Sequence, residues 1–206
     1  MRKDRIVIIG STGSIGTQTI DVIKTVGDKE IVGLSCNTDI RKLLKQVKDT
    51  KAKFVAIHDE KSADDFKSLC KKNKINVKIF TGLKGLQKLA SLKEADMVMV
   101  SVVGMIGIRP TIAAIKAKKT ICLANKETLV CAGDIIMPLV MKYDIDLRPV
   151  DSEHSAIWQC LVGEKHENIK KIIITASGGP FYGKKRYELK KIKVKDALNH
   201  PNWSMG

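Results

Sequence analysis

Aromatic side chains are scarce in this 206-residue sequence, at 4%. A hydrophobic core must therefore come from Ile, Val and Leu, and the basic surface lacks the interleaved stacking platforms that single-stranded nucleic-acid binders use. Long apolar runs are missing as well. No window approaches the ~18 uncharged apolar residues of a membrane-spanning helix. No leader segment is expected either, because Met1-Arg2-Lys3-Asp4 runs directly into the apolar stretch Ile6 to Ile9. No Cys-x-x-Cys spacing occurs among Cys36, Cys70, Cys122, Cys131 and Cys160. That argues against a zinc ribbon or a disulfide frame and reads as the reduced thiols of a cytoplasmic protein. Internal repeats and low-complexity linkers are also lacking.

Positive charge, by contrast, is plentiful. Lys and Arg number 37 against 22 Asp and Glu, a formal charge of +15. The lysines are spread over the whole length, which reads as a solvated basic surface and not a nucleic-acid-binding stripe. Such a field would still gather phosphorylated small molecules. The apolar fraction of 44% suffices for a real core, and the length suits one large domain or one and a half.

Ile6-Val7-Ile8-Ile9 reads as a buried parallel strand. Gly10-Ser11-Thr12-Gly13-Ser14-Ile15-Gly16 follows, then a helical face of Ile15, Thr19, Ile20, Ile23 and Val26 closed by Gly27. Strand, glycine turn and helix in that order make a dinucleotide-binding turn, although the spacing Gly-x-x-Gly-x-x-Gly is a variant of the commoner form. Ile31 to Leu34 reads as the second strand. Its tip, Ser35-Cys36-Asn37-Thr38 with Arg41 and Lys42 beyond, lacks the acid that would hold a ribose 2′-hydroxyl, which tilts the cofactor toward NADP.

Further strands are expected at Phe54–Ile57, Val77–Phe80, Met97–Val103, Thr120–Ala124, Ile145–Val150 and Ile172–Ile174. Helices are expected at Ala63 to about Lys72 (capped by Ser62), Leu83–Leu92, Ile112–Ala117, Gly133–Tyr143 and Ser155–Val162. The alternation predicts an α/β fold: a Rossmann-like, doubly wound, mostly parallel sheet over residues 1–150, then the start of a smaller α/β domain over 151–206.

Four stretches carry candidate chemistry. Asn125-Lys126-Glu127 sits past a strand's carboxyl end, where α/β sheets bind ligands; Lys126 could hold a phosphate or polarise a carbonyl, or the stretch simply starts a helix. Asp151 and Glu153 lie two apart after a strand. On extended chain they would share a side and could chelate Mg²⁺ or Mn²⁺, or they could be the acids of a helix's first turn. Ser177-Gly178-Gly179 suits either a phosphate nest or a plain turn. His200-Pro201-Asn202-Trp203-Ser204-Met205-Gly206 suits a lid, or an exposed turn.

Taken in order, Gly10–Gly16, Ala124–Glu127, Asp151–His154, Ser177–Phe181 and His200–Gly206 resemble the motifs of the 1-deoxy-D-xylulose-5-phosphate reductoisomerase family. The resemblance implies an NADPH- and Mg²⁺- or Mn²⁺-dependent enzyme of non-mevalonate isoprenoid biosynthesis that is a homodimer at full length. It would convert 1-deoxy-D-xylulose 5-phosphate to 2-C-methyl-D-erythritol 4-phosphate. By motif, Thr12, Gly13, Ser14, Ile15, Asn37, Asn125, Glu127 and Gly206 would contact NADPH. Asp151 and Glu153 would bind the metal. Lys126, Ser152, Glu153, Ser177, His200 and Trp203 would contact substrate, with Lys126, Glu153 and His200 closest to the chemistry.

Two departures stand out. Ser35-Cys36-Asn37 replaces a Gly-basic-Asn tip, and a further Ser…Asn-Lys…Glu stretch and a helical domain are expected beyond Gly206, so the chain reads as an N-terminal portion. Two rivals remain: another NADP-dependent oxidoreductase of semialdehyde or homoserine dehydrogenase type, and a non-catalytic nucleotide-binding protein.

Overall fold

The computed structural model describes residues 4–175 and 178–201. It divides into two compact units, Met1–Ser155 and Ala156–Gly206. The first holds seven parallel strands: β1 (Asp4–Ile9), β2 (Lys29–Cys36), β3 (Phe54–Ile57), β4 (Lys78–Thr81), β5 (Met97–Val100), β6 (Thr120–Leu123) and β7 (Leu147–Pro149). Between them run α1 (Ser14–Val26), α2 (Ile40–Thr50), α3 (Glu60–Lys72), α4 (Gly82–Ala90), α5 (Ile108–Lys116) and α6 (Glu127–Tyr143). The sheet order is β4-β3-β2-β1-β5-β6-β7.

Strand alternation builds two cores, one on each face. Ile6, Ile8, Met97 and Met99 point to the side of α1, α2 and α3, where Ile20, Leu43 and Phe66 complete the packing. Val7, Ile9, Val98 and Val100 point to the side of α4, α5 and α6, against Leu86, Leu89, Ile115 and Ile136. With both faces covered, the strands need apolar residues at every position, which explains their β-branched runs. The chain after β1 leaves toward one face and the chain after β5 toward the other. Since β1 and β5 are paired up to Ile9 and Val100, a crevice opens at their carboxyl ends, the switch point where such sheets bind ligands.

Local signals set the helix ends. Gly27 closes α1 with φ 72 and donates its N–H to the Ile23 carbonyl. Asp39 caps α2 by accepting from the Lys42 N–H at 3.1 Å. Asp59 caps α3 by accepting from the Ser62 N–H at 2.7 Å. The expected Ser62 cap is therefore corrected: Ser62 is the donor, three residues into the motif, and the carboxylate is the better acceptor for a helix N-terminus.

The helix α7 (Ser152–Leu161) crosses from the first unit into the second. The second unit also carries 3-10 turns at His166–Asn168, Gly179–Phe181 and Arg186–Lys191, and a short helix α8 (Val194–Leu198). The strand expected at Ile172–Ile174 does not form. Those side chains are 58%, 69% and 71% exposed, and no strand among the described residues pairs with them. A β-branched run favours extended chain but becomes a strand only by pairing. Among the described residues, no helix is long and apolar enough to cross a membrane.

Candidate functional site

The crevice is floored by the glycine turn. Gly10 takes φ 90, and a Cβ there would lie 2.9 Å from the Ser101 backbone. Gly16 lets α1 start against the strand: its Cβ would collide with the Gly10 carbonyl and lie 2.6 Å from the Ser11 Cα. Gly13 differs. The nearest protein atom to its Cβ would be 3.5 Å away, so no packing demands glycine there. Gly13 instead lines a cavity of about 540 Å³ with Gly10, Thr12, Asn37, His58 and Ser101. A bare backbone facing a cavity at a helix start is the cradle a pyrophosphate needs.

A buried polar network pins this turn. The Gly10 N–H donates to Ser35 Oγ at 2.8 Å. Ser11 Oγ lies 3.0 Å from the Ser35 carbonyl oxygen and 2.8 Å from Gln46 Oε1. The Gln46 amide donates back to the Ser11 carbonyl at 2.8 Å, and Lys42 Nζ donates to the Thr12 carbonyl at 2.8 Å. Sequence reasoning missed Gln46. The available signal was a polar residue on the buried stripe of α2, beside Leu43 and Val47.

A second cavity, of about 180 Å³, is lined by Ile15, Ala124, Lys126, Glu127 and Asp151. Ser101, Val102 and Val103 border both cavities, so the two adjoin past the end of β5. Here Lys126 Nζ donates to Asp151 Oδ2 at 2.8 Å, and His154 Nδ1 lies 3.0 Å from Asp151 Oδ1. The Asp151 side chain is only 15% exposed. Burial alone would push its carboxyl up, but hydrogen bonds with Lys126, His154 and Glu153 outweigh that and hold it down at about 2. The same hydrogen bond raises Lys126 above its ordinary value. An ammonium and a carboxylate therefore face each other at the cavity wall.

The remaining predicted residues fall as follows. Thr12, Gly13 and Asn37 line the first cavity, and Ile15 and Glu127 the second. Ser14 opens α1 and its hydroxyl accepts from Gln18 Nε2 at 3.2 Å. Asn125 is 2% exposed and committed to the protein. Its oxygen accepts from the Thr128 hydroxyl, and its amide donates to the Gly104 carbonyl at 3.0 Å and to Glu127 Oε2 at 2.7 Å. Asn125 thus orients Glu127. Ser152 and Glu153 are exposed at the start of α7. Of the two readings of these acids, the helix start is the one that forms: Asp151 precedes the helix and Glu153 sits in its first turn, where both favour the helix N-terminus. In the second unit, the ring of His200 approaches Gly179, to 3.9 Å from a Cβ built there. Ser177, Trp203 and Gly206 lie outside the described residues.

Asp151 and Glu153 carry oxygen donors of the hard type that Mg²⁺ and Mn²⁺ prefer, but the Lys126 ammonium already pairs with Asp151 Oδ2, so a metal ion there would have to displace it. The donor set is partial. Among the described residues, no group of three His, Cys, Asp or Glu is placed to hold a metal.

Two family models match the chain: 1-deoxy-D-xylulose 5-phosphate reductoisomerase over residues 6–133, and its C-terminal domain over residues 147–206. The chain belongs to the 1-deoxy-D-xylulose 5-phosphate reductoisomerase family. A reductoisomerase from Agathobacter rectalis is 54% identical over 202 residues, covering 98% of this chain and 53% of the relative. One from Thermoanaerobacter sp. is 52% identical over 203 residues, covering 98% and 52%. The chain thus spans about half the length of the curated relatives it matches. Among solved structures, the Zymomonas mobilis reductoisomerase in complex with NADPH superposes with a TM-score of 0.88 at 35% identity, covering 97% of this chain and 52% of the other. A reductoisomerase in complex with NADPH, fosmidomycin and magnesium gives 0.87 at 34%, covering 98% and 52%. Membership in the reductoisomerase family accounts for the parallel sheet and for the order of the motifs along it.

Proposed function

We propose that this chain provides the NADPH-binding part, residues 1–150, and the beginning of the catalytic part, residues 151–206, of an enzyme that converts 1-deoxy-D-xylulose 5-phosphate to 2-C-methyl-D-erythritol 4-phosphate. The supporting observation is the shared wall: Ser101, Val102 and Val103 join the cavity over the glycine turn to the cavity holding Lys126 and Asp151. A dinucleotide seated on the turn would present its reactive end to a substrate held at the charged pair. Relatives of this fold have been solved with NADPH and magnesium, which fits that placement.

Each side chain then has a task. The bare backbone at Gly13 and the Ser14 amide at the start of α1 cradle the pyrophosphate, Thr12 and Ile15 flank it, and Asn37 stands at the adenosine end. Glu127, oriented by Asn125, bonds the nicotinamide side. Lys126, drawn from Asp151, binds a substrate oxygen. Asp151 and Glu153 provide two of the metal's oxygen ligands. By motif, Ser152, Ser177, His200 and Trp203 are assigned to the phosphorylated sugar and Gly206 to the cofactor. NADPH bound there would supply the hydride, and a divalent ion would offset negative charge developing on the substrate's oxygens. The full-length assembly is a homodimer.

A semialdehyde-dehydrogenase reading needs a reactive thiol at the crevice. Cys36 lines it but is 3% exposed, and burial pushes its thiol up to about 12. That observation favours the reductoisomerase reading.

NADPH oxidation, followed optically with 1-deoxy-D-xylulose 5-phosphate and Mn²⁺, tests the proposal. Turnover by the 206-residue chain, or by a longer chain carrying it, that stops on adding chelator is the expected result. Turnover of an aldehyde or semialdehyde indifferent to chelator would assign it to the other oxidoreductase class.

A further inference from the structure

The first cavity has an end the motifs do not explain. His58 follows β3 directly. Its N–H donates to the carbonyl of Cys36, the last residue of β2, at 3.0 Å, which carries the β2–β3 pairing one residue past the end of β3. That brings the imidazole Nδ1 to 3.3 Å from Asn37 Oδ1. Both residues line the cavity over Gly10, Thr12 and Gly13, and among the described residues His58 is the one basic residue lining it.

The neighbouring charges are spoken for. Asp39 is turned to the Lys42 N–H, and Asp59 to the Ser62 N–H, each as a helix cap. Lys42 Nζ is held by the Thr12 carbonyl. Among the described residues, no carboxylate lines the cavity. In a dinucleotide fold, an acid at the tip of the second strand holds the ribose 2′-hydroxyl and repels a phosphate there. Here an amide occupies that tip with an imidazole behind it. The Nδ1 contact with Asn37 Oδ1 leaves Nε2 as the ring nitrogen for a ligand, and a bound phosphate would itself favour the imidazolium, which donates from both nitrogens.

We propose that His58, oriented by Asn37, binds the 2′-phosphate of NADPH and sets the preference for NADPH over NADH. This rests on the NADPH-binding reading of the crevice and adds a residue that no motif singled out. The geometry distinguishes His58 from Arg41, which is exposed on α2 and does not line the cavity.

Fluorescence titration of NADPH and of NADH against the unaltered chain, His58→Ala, His58→Arg and Arg41→Ala tests it. The unaltered chain should bind NADPH more tightly than NADH. His58→Ala should lose about tenfold in NADPH affinity, the scale of one charge-assisted hydrogen bond, with NADH affinity unchanged, which also shows that the variant is folded. His58→Arg should keep the preference, because it supplies a cation at the same place, and Arg41→Ala should keep it too. An unchanged preference in His58→Ala would overturn the assignment and leave the NADPH reading standing. An equal loss of both dinucleotides would overturn it as well, by making His58 a wall of the cavity and not a phosphate ligand. Binding of neither dinucleotide by the unaltered chain would overturn the inference and its basis together.

Discussion

Gly13 and Gly16 are three residues apart in one turn, yet they are glycine for different reasons. A methyl at Gly16 would strike the backbone of Gly10 and Ser11, which cannot give way. Gly16→Ala should therefore cost about 1–3 kcal/mol of stability, as overpacking does, read from a denaturant midpoint. At Gly13 nothing in the protein opposes a methyl, so Gly13→Ala should melt within a few degrees of the unaltered chain while NADPH affinity falls at least tenfold. A Gly13→Ala chain that binds NADPH normally would show that the turn does not cradle a pyrophosphate.

Cys36 gives a second test at this scale. With its thiol raised from 9.0 to about 12, the unfolded chain loses that proton at lower pH than the folded one. Its contribution to stability is complete below pH 9 and drains as pH climbs toward 12, by up to about 1.4 kcal/mol per unit. In native labelling at neutral pH, exposed Cys131 and Cys160 should react, and Cys36 and Cys70 should react only on unfolding.

Among the elements, α2 does more than cover the sheet. Through Gln46 it grips Ser11, and through Lys42 it grips Thr12, so the glycine turn is held from behind. Gln46→Leu would suit the buried stripe but leave the Ser11 carbonyl without its Gln46 donor, while the Ser11 hydroxyl keeps the Ser35 carbonyl. A loss of about 1–3 kcal/mol is expected, together with weaker NADPH binding, measured by chemical denaturation and titration. Unchanged NADPH affinity would show that the turn holds its shape unaided.

Such cross-element contacts are what the sequence conceals. β1, the turn and α1 were legible because strand, glycines and amphipathic helix are all local signals. The end of β5 was not. The apolar run continues to Val103, but its partners stop: Val100 pairs with Ile9 on one side and Leu123 on the other. Beyond that ladder Ser101 to Val103 turn into the crevice, and Val103 is 84% exposed, lining both cavities. The same reasoning explains Ile172–Ile174, which has strand composition without a neighbour. Likewise α6 begins at Glu127, six residues before the expected Gly133, with non-helical backbone at Ala132 interrupting the pattern. In the site, the carboxylates and Lys126 were legible as residue types. Their pairing across 25 positions, and the approach of His58 to Asn37 across 21, come only from the sheet's order.

At the scale of the whole molecule, the sequence carries a formal charge of +15, which favours the approach of anionic ligands. NADPH affinity should accordingly weaken as ionic strength rises, because salt screens the field that gathers it. The sheet supplies the frame. Its two covered faces leave the carboxyl edge as the place where glycine turn, His58 and the Lys126–Asp151 pair meet. The central claim is that this edge is a dinucleotide site, and calorimetric titration of the 206-residue chain with NADPH tests it most directly. One saturable site that is lost in Gly13→Ala is the expected result. No heat of binding from a chain shown to be folded would contradict the account.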